Sequence, residues 1–131
     1  MADRMAGFVF DASAILAIAF REPGADVAIA RMTDAAISAV NYSEAGAKLI
    51  DKGFAREEAF NWLEALRLEI HDFGREAVES AAALRENDTW RRVSFADRAC
   101  ISLATQLGAT AVTTDRIWAD LQLPCPVELI R

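Results

Sequence analysis

The sequence predicts an α/β fold with a parallel sheet, because short apolar runs alternate with helical apolar patterns along the chain. The runs are short and almost wholly apolar, which is typical of strands covered on both faces. The chain has 131 residues, of which 53% are apolar, so a sizeable core is available and the length fits one domain spanning residues 1–131.

Each element follows from its own local pattern. The predicted strands are Phe8–Asp11, Ala36–Val40, Glu69–Phe73, Ala109–Thr113 and Val127–Ile130. The predicted helices are Ala12–Phe20, Ala25–Met32, Ser43–Lys52, Arg56–Leu68, Gly74–Glu86, Phe95–Leu107 and Arg116–Leu121. Gly53 and Gly108 each follow a helical pattern, as C-terminal stops do. No internal repeat or linker interrupts the series, so a domain boundary is not expected.

Composition limits the classes of function. The net charge of −6 argues against an extended basic surface for nucleic acid. It does not exclude an enzyme that engages a short single-stranded stretch through a bound metal. No apolar stretch is long enough to span a bilayer, and the N-terminus lacks the features of a secretory signal. We therefore expect a cytoplasmic protein.

Cysteine and histidine give little support for other chemistries. Cys100 and Cys125 are predicted to be small buried hydrophobic residues, without a disulfide and without metal-binding spacing. His71 is the only histidine, so a histidine-rich zinc site is excluded. A strand-end histidine with a local hydrogen-bond partner is favoured over a general base.

Four acidic residues occupy places where predicted strands end or predicted helices begin. They are Asp11, Glu44, Asp97 and Asp115. If the strands are parallel and adjacent, these side chains converge on one edge of the sheet, where α/β folds bind ligands. A pocket of carboxylates offers the hard oxygen ligands that Mg²⁺ or Mn²⁺ prefers. The pattern therefore predicts a metal-dependent site for phosphoryl transfer.

Helix capping is the alternative interpretation of the same acids. Asn41 and Glu44 have the spacing of a capping box, as do Ser94 and Asp97, and the other two acids fit a cap or a first helical turn. Capping explains four helix starts but not why all four use a carboxylate, since Ser, Thr and Asn cap well. We therefore favour a shared site, in which repulsion raises the pKa of at least one carboxyl.

The neighbours of these acids have two possible roles each. The hydroxyls of Ser13 and Thr113 are placed either to join a metal's water shell or a phosphate, or to make local backbone hydrogen bonds. Arg98 and Arg116 directly follow two of the acids, and either holds a scissile phosphate or balances the charge of the pocket.

One cationic cluster has an aromatic neighbour, the segment Trp90-Arg91-Arg92. Base stacking with phosphate contacts is one interpretation of this cluster. A solvated loop with a partly buried tryptophan is the other, and the sequence does not decide between them.

Four motifs, in order, carry a resemblance to a known family. They are Phe8-Val9-Phe10-Asp11-Ala12-Ser13-Ala14, Asn41-Tyr42-Ser43-Glu44-Ala45, Ser94-Phe95-Ala96-Asp97-Arg98-Ala99-Cys100 and Val112-Thr113-Thr114-Asp115-Arg116. With this spacing the chain resembles the PIN-domain ribonucleases, and in particular the VapC-type toxins of toxin–antitoxin pairs, from Phe8 to Ile130. A mild departure is Phe95-Ala96, where such toxins often have Leu-Gly or Leu-Ala.

The resemblance implies a three-layer PIN-like fold, with a five-stranded parallel sheet and helices on both faces. It implies an endoribonuclease whose acidic pocket binds Mg²⁺ or Mn²⁺, a homodimer or larger toxin–antitoxin assembly, and a cognate antitoxin whose tail enters the active-site groove. Asp11, Glu44, Asp97 and Asp115 match the family's acidic set. We expect Asp11, Asp97 and Asp115 to hold one or two ions, with Glu44 as an additional or water-mediated ligand. The RNA target stays open.

Three other classes compete. A phosphoacceptor receiver domain needs a lysine late in the chain, but the only lysines are Lys48 and Lys52. A dehalogenase-type phosphatase needs an acid at the position of Ser13. A catalytically inactive binding module with the same fold is the third class, and the intact acidic set argues against it.

Overall fold

The protein folds around a five-stranded parallel sheet. Its structure is a computed structural model that describes residues 6–87 and 93–131. The strands are β1 (Phe8–Phe10), β2 (Ala35–Ser38), β3 (Glu69–His71), β4 (Thr110–Thr113) and β5 (Val127–Leu129). Their order is β3-β2-β1-β4-β5, and every neighbouring pair is parallel. The predicted parallel α/β fold is therefore confirmed.

Helices connect the strands and cover the sheet. They are α1 (Ala12–Ala19), α2 (Ala25–Arg31), α3 (Ala39–Asp51), α4 (Arg56–Ala65), α5 (Arg75–Ala83) and α6 (Phe95–Leu107). Short 3₁₀ helices lie at Met32–Asp34, Leu84–Glu86 and Arg116–Asp120. Among the residues that the structure describes, no helix is long and apolar enough to cross a membrane.

The sheet separates two hydrophobic cores. Phe10 of β1 packs in one core with Ile15 of α1 and Leu49 of α3. The preceding residue, Val9, faces the other core and packs with Ile101 of α6. Neighbouring strand residues alternate between the faces in this way because side chains of a strand point to opposite sides. The chain therefore has three layers, and its short apolar strands are covered on both faces, as predicted.

The boundary between β2 and α3 differs from the prediction. The strand was expected at Ala36–Val40 and the helix at Ser43–Lys52, but α3 begins at Ala39. Ser38 caps this helix, because its Oγ accepts a hydrogen bond from the amide of Val40 at 3.2 Å. The predicted capping box of Asn41 and Glu44 is therefore wrong, since both residues lie inside the helix.

Smaller differences occur at other ends. The helix expected at Arg56–Leu68 ends at Ala65, and Arg67 has a φ of 55°, which lies outside the helical region. The last predicted helix is a 3₁₀ helix, Arg116–Asp120. The Trp90-Arg91-Arg92 cluster lies outside the described residues.

The minor expectations for cysteine and histidine are confirmed. Cys100 and Cys125 are free thiols and both are buried. His71 ends β3, and its Nε2 lies 3.0 Å from Oε1 of Glu69, which is the local partner expected for it.

Candidate functional site

Asp11 stands at the carboxyl end of β1 and is nearly inaccessible, with 5% of its surface exposed. Its Oδ1 accepts hydrogen bonds from the amide of Ala14 at 3.0 Å and from Oγ of Ser13 at 2.7 Å. Its Oδ2 accepts a bond of 2.5 Å from Oγ1 of Thr113, which ends the neighbouring strand β4. Asp11 therefore both caps α1 and joins two strand ends.

The two hydroxyls around Asp11 also receive bonds from the backbone. Oγ of Ser13 accepts from the amide of Thr114, and Oγ1 of Thr113 accepts from the amide of Asp115, each at 3.0 Å. Of the two roles left open by the sequence, the structure shows hydrogen bonding to the backbone, which is local for Thr113 but spans 101 residues for Ser13. These bonds fix the rotamer of Asp11 and the start of the loop after β4.

The other three acids reach the same edge from separate elements. Glu44 lies in the second turn of α3, and Asp97 lies in the first turn of α6. Asp97 completes the predicted capping box with Ser94, whose Oγ accepts from the Asp97 amide at 3.2 Å. Asp115 follows β4, and its Oδ1 accepts from the amide of Ile117 at 3.0 Å. The capping and site interpretations are thus compatible for these residues.

All four acids line one cavity of about 360 Å³ at the carboxyl edge of the sheet. Ser13, Thr114 and Lys48 contribute to the same walls. A cavity of about 380 Å³ elsewhere, beside β3, contains none of the four. The acidic cavity, defined by Asp11, Glu44, Asp97 and Asp115, is therefore the part of the molecule where the candidate chemistry is concentrated.

Burial and mutual repulsion raise the pKa values of the acids in this cavity. Burial raises the pKa of Asp11 to about 6, against the opposing effect of its hydrogen bonds, and the charge of Asp97 adds to the rise. Burial also raises the pKa of Glu44, with a further rise from Asp97, whereas Lys48 lowers it. The pKa of Asp97 is raised by burial and by the charge of Asp115. The expected electrostatic strain is therefore present.

The donor set fits a hard divalent cation in its chemistry, because four carboxylates line one cavity. Asp97 repels Glu44, and Asp115 repels Asp97. Within residues 6–87 and 93–131, however, no three His, Cys, Asp or Glu side chains form a group that could hold a metal ion as they stand. Asp11 is fixed, but Glu44, Asp97 and Asp115 are only partly buried. A shared ion would therefore require rotamer changes among these side chains.

The structure gives two residues near the acids roles that the sequence did not predict. Asn41 is fully buried, and its Nδ2 donates to the carbonyl of Ala96 at 2.9 Å, which ties α3 to the start of α6. Lys48 lines the cavity one turn after Glu44, and this i,i+4 spacing was the available signal. Asn41 gave no comparable signal, because its partner lies 55 residues away.

The two arginines that follow acids do not line the acidic cavity. Nη1 of Arg98 donates to the carbonyl of Ala81 in α5 at 3.1 Å, and its guanidinium lies 5.9 Å from the ring centre of Phe95. Arg116 is exposed at the start of its 3₁₀ helix. The structure therefore gives no support for either arginine as a phosphate ligand.

Comparison with protein families decides the family of this fold. The PIN domain model matches residues 8–122, which is most of the chain. The chain belongs to the PIN domain family. The match spans all four acids, from Asp11 to Asp115. A separate comparison with curated proteins gives no match.

Solved structures of PIN proteins share the whole fold. The DNA-bound VapBC of Salmonella typhimurium superposes with a TM-score of 0.74 at 19% identity, covering 97% of this chain and 100% of that chain. VapBC2 of Rickettsia felis, bound to a fragment of promoter DNA, superposes with a TM-score of 0.72 at 18% identity, covering 92% of this chain and 96% of that chain. VapBC-5 of Mycobacterium tuberculosis superposes with a TM-score of 0.61 at 22% identity, covering 95% of this chain and 98% of that chain. The predicted resemblance to VapC-type PIN proteins is confirmed at the level of fold.

Proposed function

We propose that the protein is a metal-dependent endoribonuclease that hydrolyses RNA phosphodiester bonds as the toxin of a toxin–antitoxin pair. One observation carries this proposal: four carboxylates from separate elements of a PIN fold line one cavity at the carboxyl edge of the sheet. Such a cavity repels a phosphate unless a cation lies between them, so the acids are suited to hold Mg²⁺ or Mn²⁺.

In this proposal Asp11, Asp97 and Asp115 hold the ion or ions, and Glu44 is an additional or water-mediated ligand. A divalent ion bound there would supply Lewis-acid activation of the phosphodiester and of the attacking water. Asp11 serves as the fixed point, because its two oxygens are oriented by Ser13, Thr113 and the backbone. The other acids are free to approach, since each has a partly exposed side chain.

The proposed partner is a cognate antitoxin, and the proposed state is a homodimer or larger assembly in the cytoplasm. The support for the antitoxin comes from the neighbours in fold, which include a toxin–antitoxin complex from Klebsiella pneumoniae and VapBC-1 from Haemophilus influenzae. The oligomeric state and the location rest on the family resemblance alone. Co-expression with the product of the adjacent reading frame tests the partner. A stable co-purified complex that blocks RNA cleavage is the expected result, and light scattering of the isolated chain reports its oligomeric state.

Cleavage of RNA, with and without metal, tests the activity. Purified protein is incubated with total RNA in Mg²⁺, in Mn²⁺ and in EDTA, and the fragments are sequenced. We expect discrete fragments in either metal, none in EDTA, and none from Asp11→Asn. Asp72→Asn is the matched control, because Asp72 is exposed and does not line the acidic cavity. Equal cleavage by Asp11→Asn and the control would contradict the proposal.

A catalytically inactive binding module is the second candidate, and it is favoured by the lack of a preformed group of three ligands within residues 6–87 and 93–131. This candidate predicts RNA or partner binding without cleavage in any metal. A receiver domain is not supported, because receivers place the first strand between the second and third. Here β1 lies between β2 and β4.

A further inference from the structure

A second cavity, of about 250 Å³, continues from the acidic cavity along α3. The two cavities share Ser13, Leu16 and Lys48 in their walls, so they are adjacent on the surface. Beyond the shared residues, the second cavity is lined by Phe20, Glu22, Lys52 and Arg131. We call this second cavity, together with its wall at Lys48, the basic cleft.

The basic cleft gathers positive charge in a chain of net charge −6. Lys48 and Lys52 are the only lysines of the sequence, and both are exposed. Lys48 lies in the last turn of α3, and Lys52 directly follows the helix, four residues later. Arg131 follows β5, and its Nη1 lies 3.2 Å from Oε1 of Glu22. Three cations therefore face a single carboxylate in the walls of this cleft.

The charges of both lysines are available to a ligand. Within the described part of the chain, neither ammonium group makes an ion pair or a hydrogen bond. Lys48 acts on Glu44 only through its charge, which lowers the pKa of that carboxyl. Arg131, in contrast, already donates to Glu22 and to the carbonyl of Pro23. The lysines are therefore the groups best placed to bind an anion that enters the cleft.

We propose that the basic cleft binds the phosphodiester backbone of single-stranded RNA next to the phosphate that is cleaved. This inference rests on the proposed function and adds the form of the substrate and its path. An RNA chain that presents one phosphate to the acids must continue beyond the acidic cavity. The carboxylates repel the neighbouring phosphates of that chain unless cations line the surface that it follows. Lys48 and Lys52 supply those cations in a cavity that shares Ser13, Leu16 and Lys48 with the acidic one.

The aromatic wall favours a single strand over a duplex. Phe20 lines the cleft and is only partly buried. Sites for single-stranded nucleic acid combine a cationic groove with an aromatic ring on which a base stacks. An acidic protein segment would use the lysines but would have no need of contact with the metal-binding acids, and it is the alternative that the experiment separates.

The test compares charge-removing variants in RNA binding and in cleavage. Binding of a fluorescent single-stranded RNA of about a dozen nucleotides is measured by anisotropy in the Asp11→Asn background over a series of salt concentrations. Lys52→Gln, Lys48→Gln and the double variant are compared with Arg85→Gln. Arg85 is a matched exposed cation in the 3₁₀ helix after α5, and it lines neither cavity. Lys52→Arg serves as the conservative variant.

We expect Lys52→Gln to weaken binding about 3- to 10-fold and the double variant further, with the salt slope falling by about 0.7 for each lysine removed. In the otherwise unchanged protein, Lys52→Gln raises KM and leaves kcat unchanged, and Lys52→Arg restores KM. An effect of both lysines no larger than that of Arg85→Gln, while the wild type still cleaves RNA, would overturn the cleft proposal alone.

Two other results would overturn it with different consequences. Lysine-dependent binding of a polyglutamate peptide, without lysine-dependent RNA binding, would assign the cleft to a protein partner. A wild-type protein that neither binds nor cleaves RNA would end the proposed function, and the cleft proposal with it.

Discussion

Asp11 and the other three acids of the cavity are held in different ways. Asp11 is buried, and both its oxygens accept hydrogen bonds from Ser13, Thr113 and the amide of Ala14. Asp97 and Asp115 each cap a helix start and are partly exposed, and Glu44 projects from within α3. We therefore call Asp11 the fixed acid and Glu44, Asp97 and Asp115 the adjustable acids, because their partly exposed side chains have room to change rotamer.

This difference separates two requirements of the proposed activity. A fixed carboxylate defines where a cation binds. Its burial disfavours the charged form, so the pKa of Asp11 rises to about 6. Adjustable carboxylates allow the site to close when the cation arrives, which fits the lack of a three-residue group among the described residues. Changes at Asp11 and at Asp97 should therefore abolish activity alike but differ in their effect on stability.

The largest effect is expected for Asp11→Asn. RNA cleavage should fall to the level of a blank, because the fixed ligand is lost. The free energy of unfolding at pH 7.5 in EDTA should rise by about 1–2 kcal/mol, since a buried charge is removed and about one hydrogen bond is weakened. Urea unfolding followed by circular dichroism measures this change. A large loss of stability would show that the carboxylate of Asp11 is not strained.

The pH dependence of stability sharpens the same point. The pKa of Asp11 is about 6 in the folded protein, against the ordinary value of 3.8 that applies in the unfolded chain. The folded protein therefore binds the proton more tightly than the unfolded chain does. Its contribution to stability is therefore full below about pH 4, falls as the pH rises through 6, and is absent above about pH 7. Between these limits the wild type should lose about 3 kcal/mol relative to Asp11→Asn. Parallel pH profiles of the two proteins would contradict this assignment.

Removing one support of Asp11 should have a smaller effect. Thr113→Val preserves shape but leaves Oδ2 of Asp11 and the amide of Asp115 without the hydroxyl. We expect a loss of about 1–3 kcal/mol of unfolding free energy at pH 7.5, measured by urea unfolding. Thr110→Val, at the start of the same strand, is the control. Equal losses in the two variants would mean that the hydroxyl of Thr113 does not support Asp11.

The smallest stability change is expected at the adjustable acids. Asp97→Asn keeps a side-chain oxygen that can accept the bond from the amide of the N-cap residue Ser94, and the side chain is only partly buried. The unfolding free energy should therefore change by less than about 1 kcal/mol in EDTA. RNA cleavage should nevertheless be lost. A stability gain as large as that of Asp11→Asn would remove the distinction between the fixed and the adjustable acids.

The strands and the four acids could be predicted from local sequence, because apolar runs mark buried parallel strands and an acid at a strand end is visible in the pattern. The start of α3 could not, since Ala39-Val40 continues the apolar run of β2, and only the cap at Ser38 ends the strand. The support of Asp11 by Thr113 spans 102 residues, so no local pattern contains it. Arg98 was misleading for the same reason, because its partner lies in α5.

Lys48 and Lys52 illustrate what sequence reasoning leaves out. Lys48 follows Glu44 by one turn of α3, and Lys52 directly follows the helix, but this spacing does not reveal that both line a cleft. Their placement beside the acids depends on how α3 packs against α1, which the spacing within one helix does not determine.

Mn²⁺ binding tests the central claim most directly. Thermal unfolding of the metal-free protein is followed at pH 7.5 with increasing Mn²⁺, for the wild type, Asp97→Asn and Asp72→Asn. If the acids close on a cation, Mn²⁺ stabilises the wild type and the Asp72 variant by about 2.7 kcal/mol at 100 times its Kd, and leaves Asp97→Asn almost unchanged. A melting temperature of the wild type that does not respond to Mn²⁺ or Mg²⁺ would contradict the account.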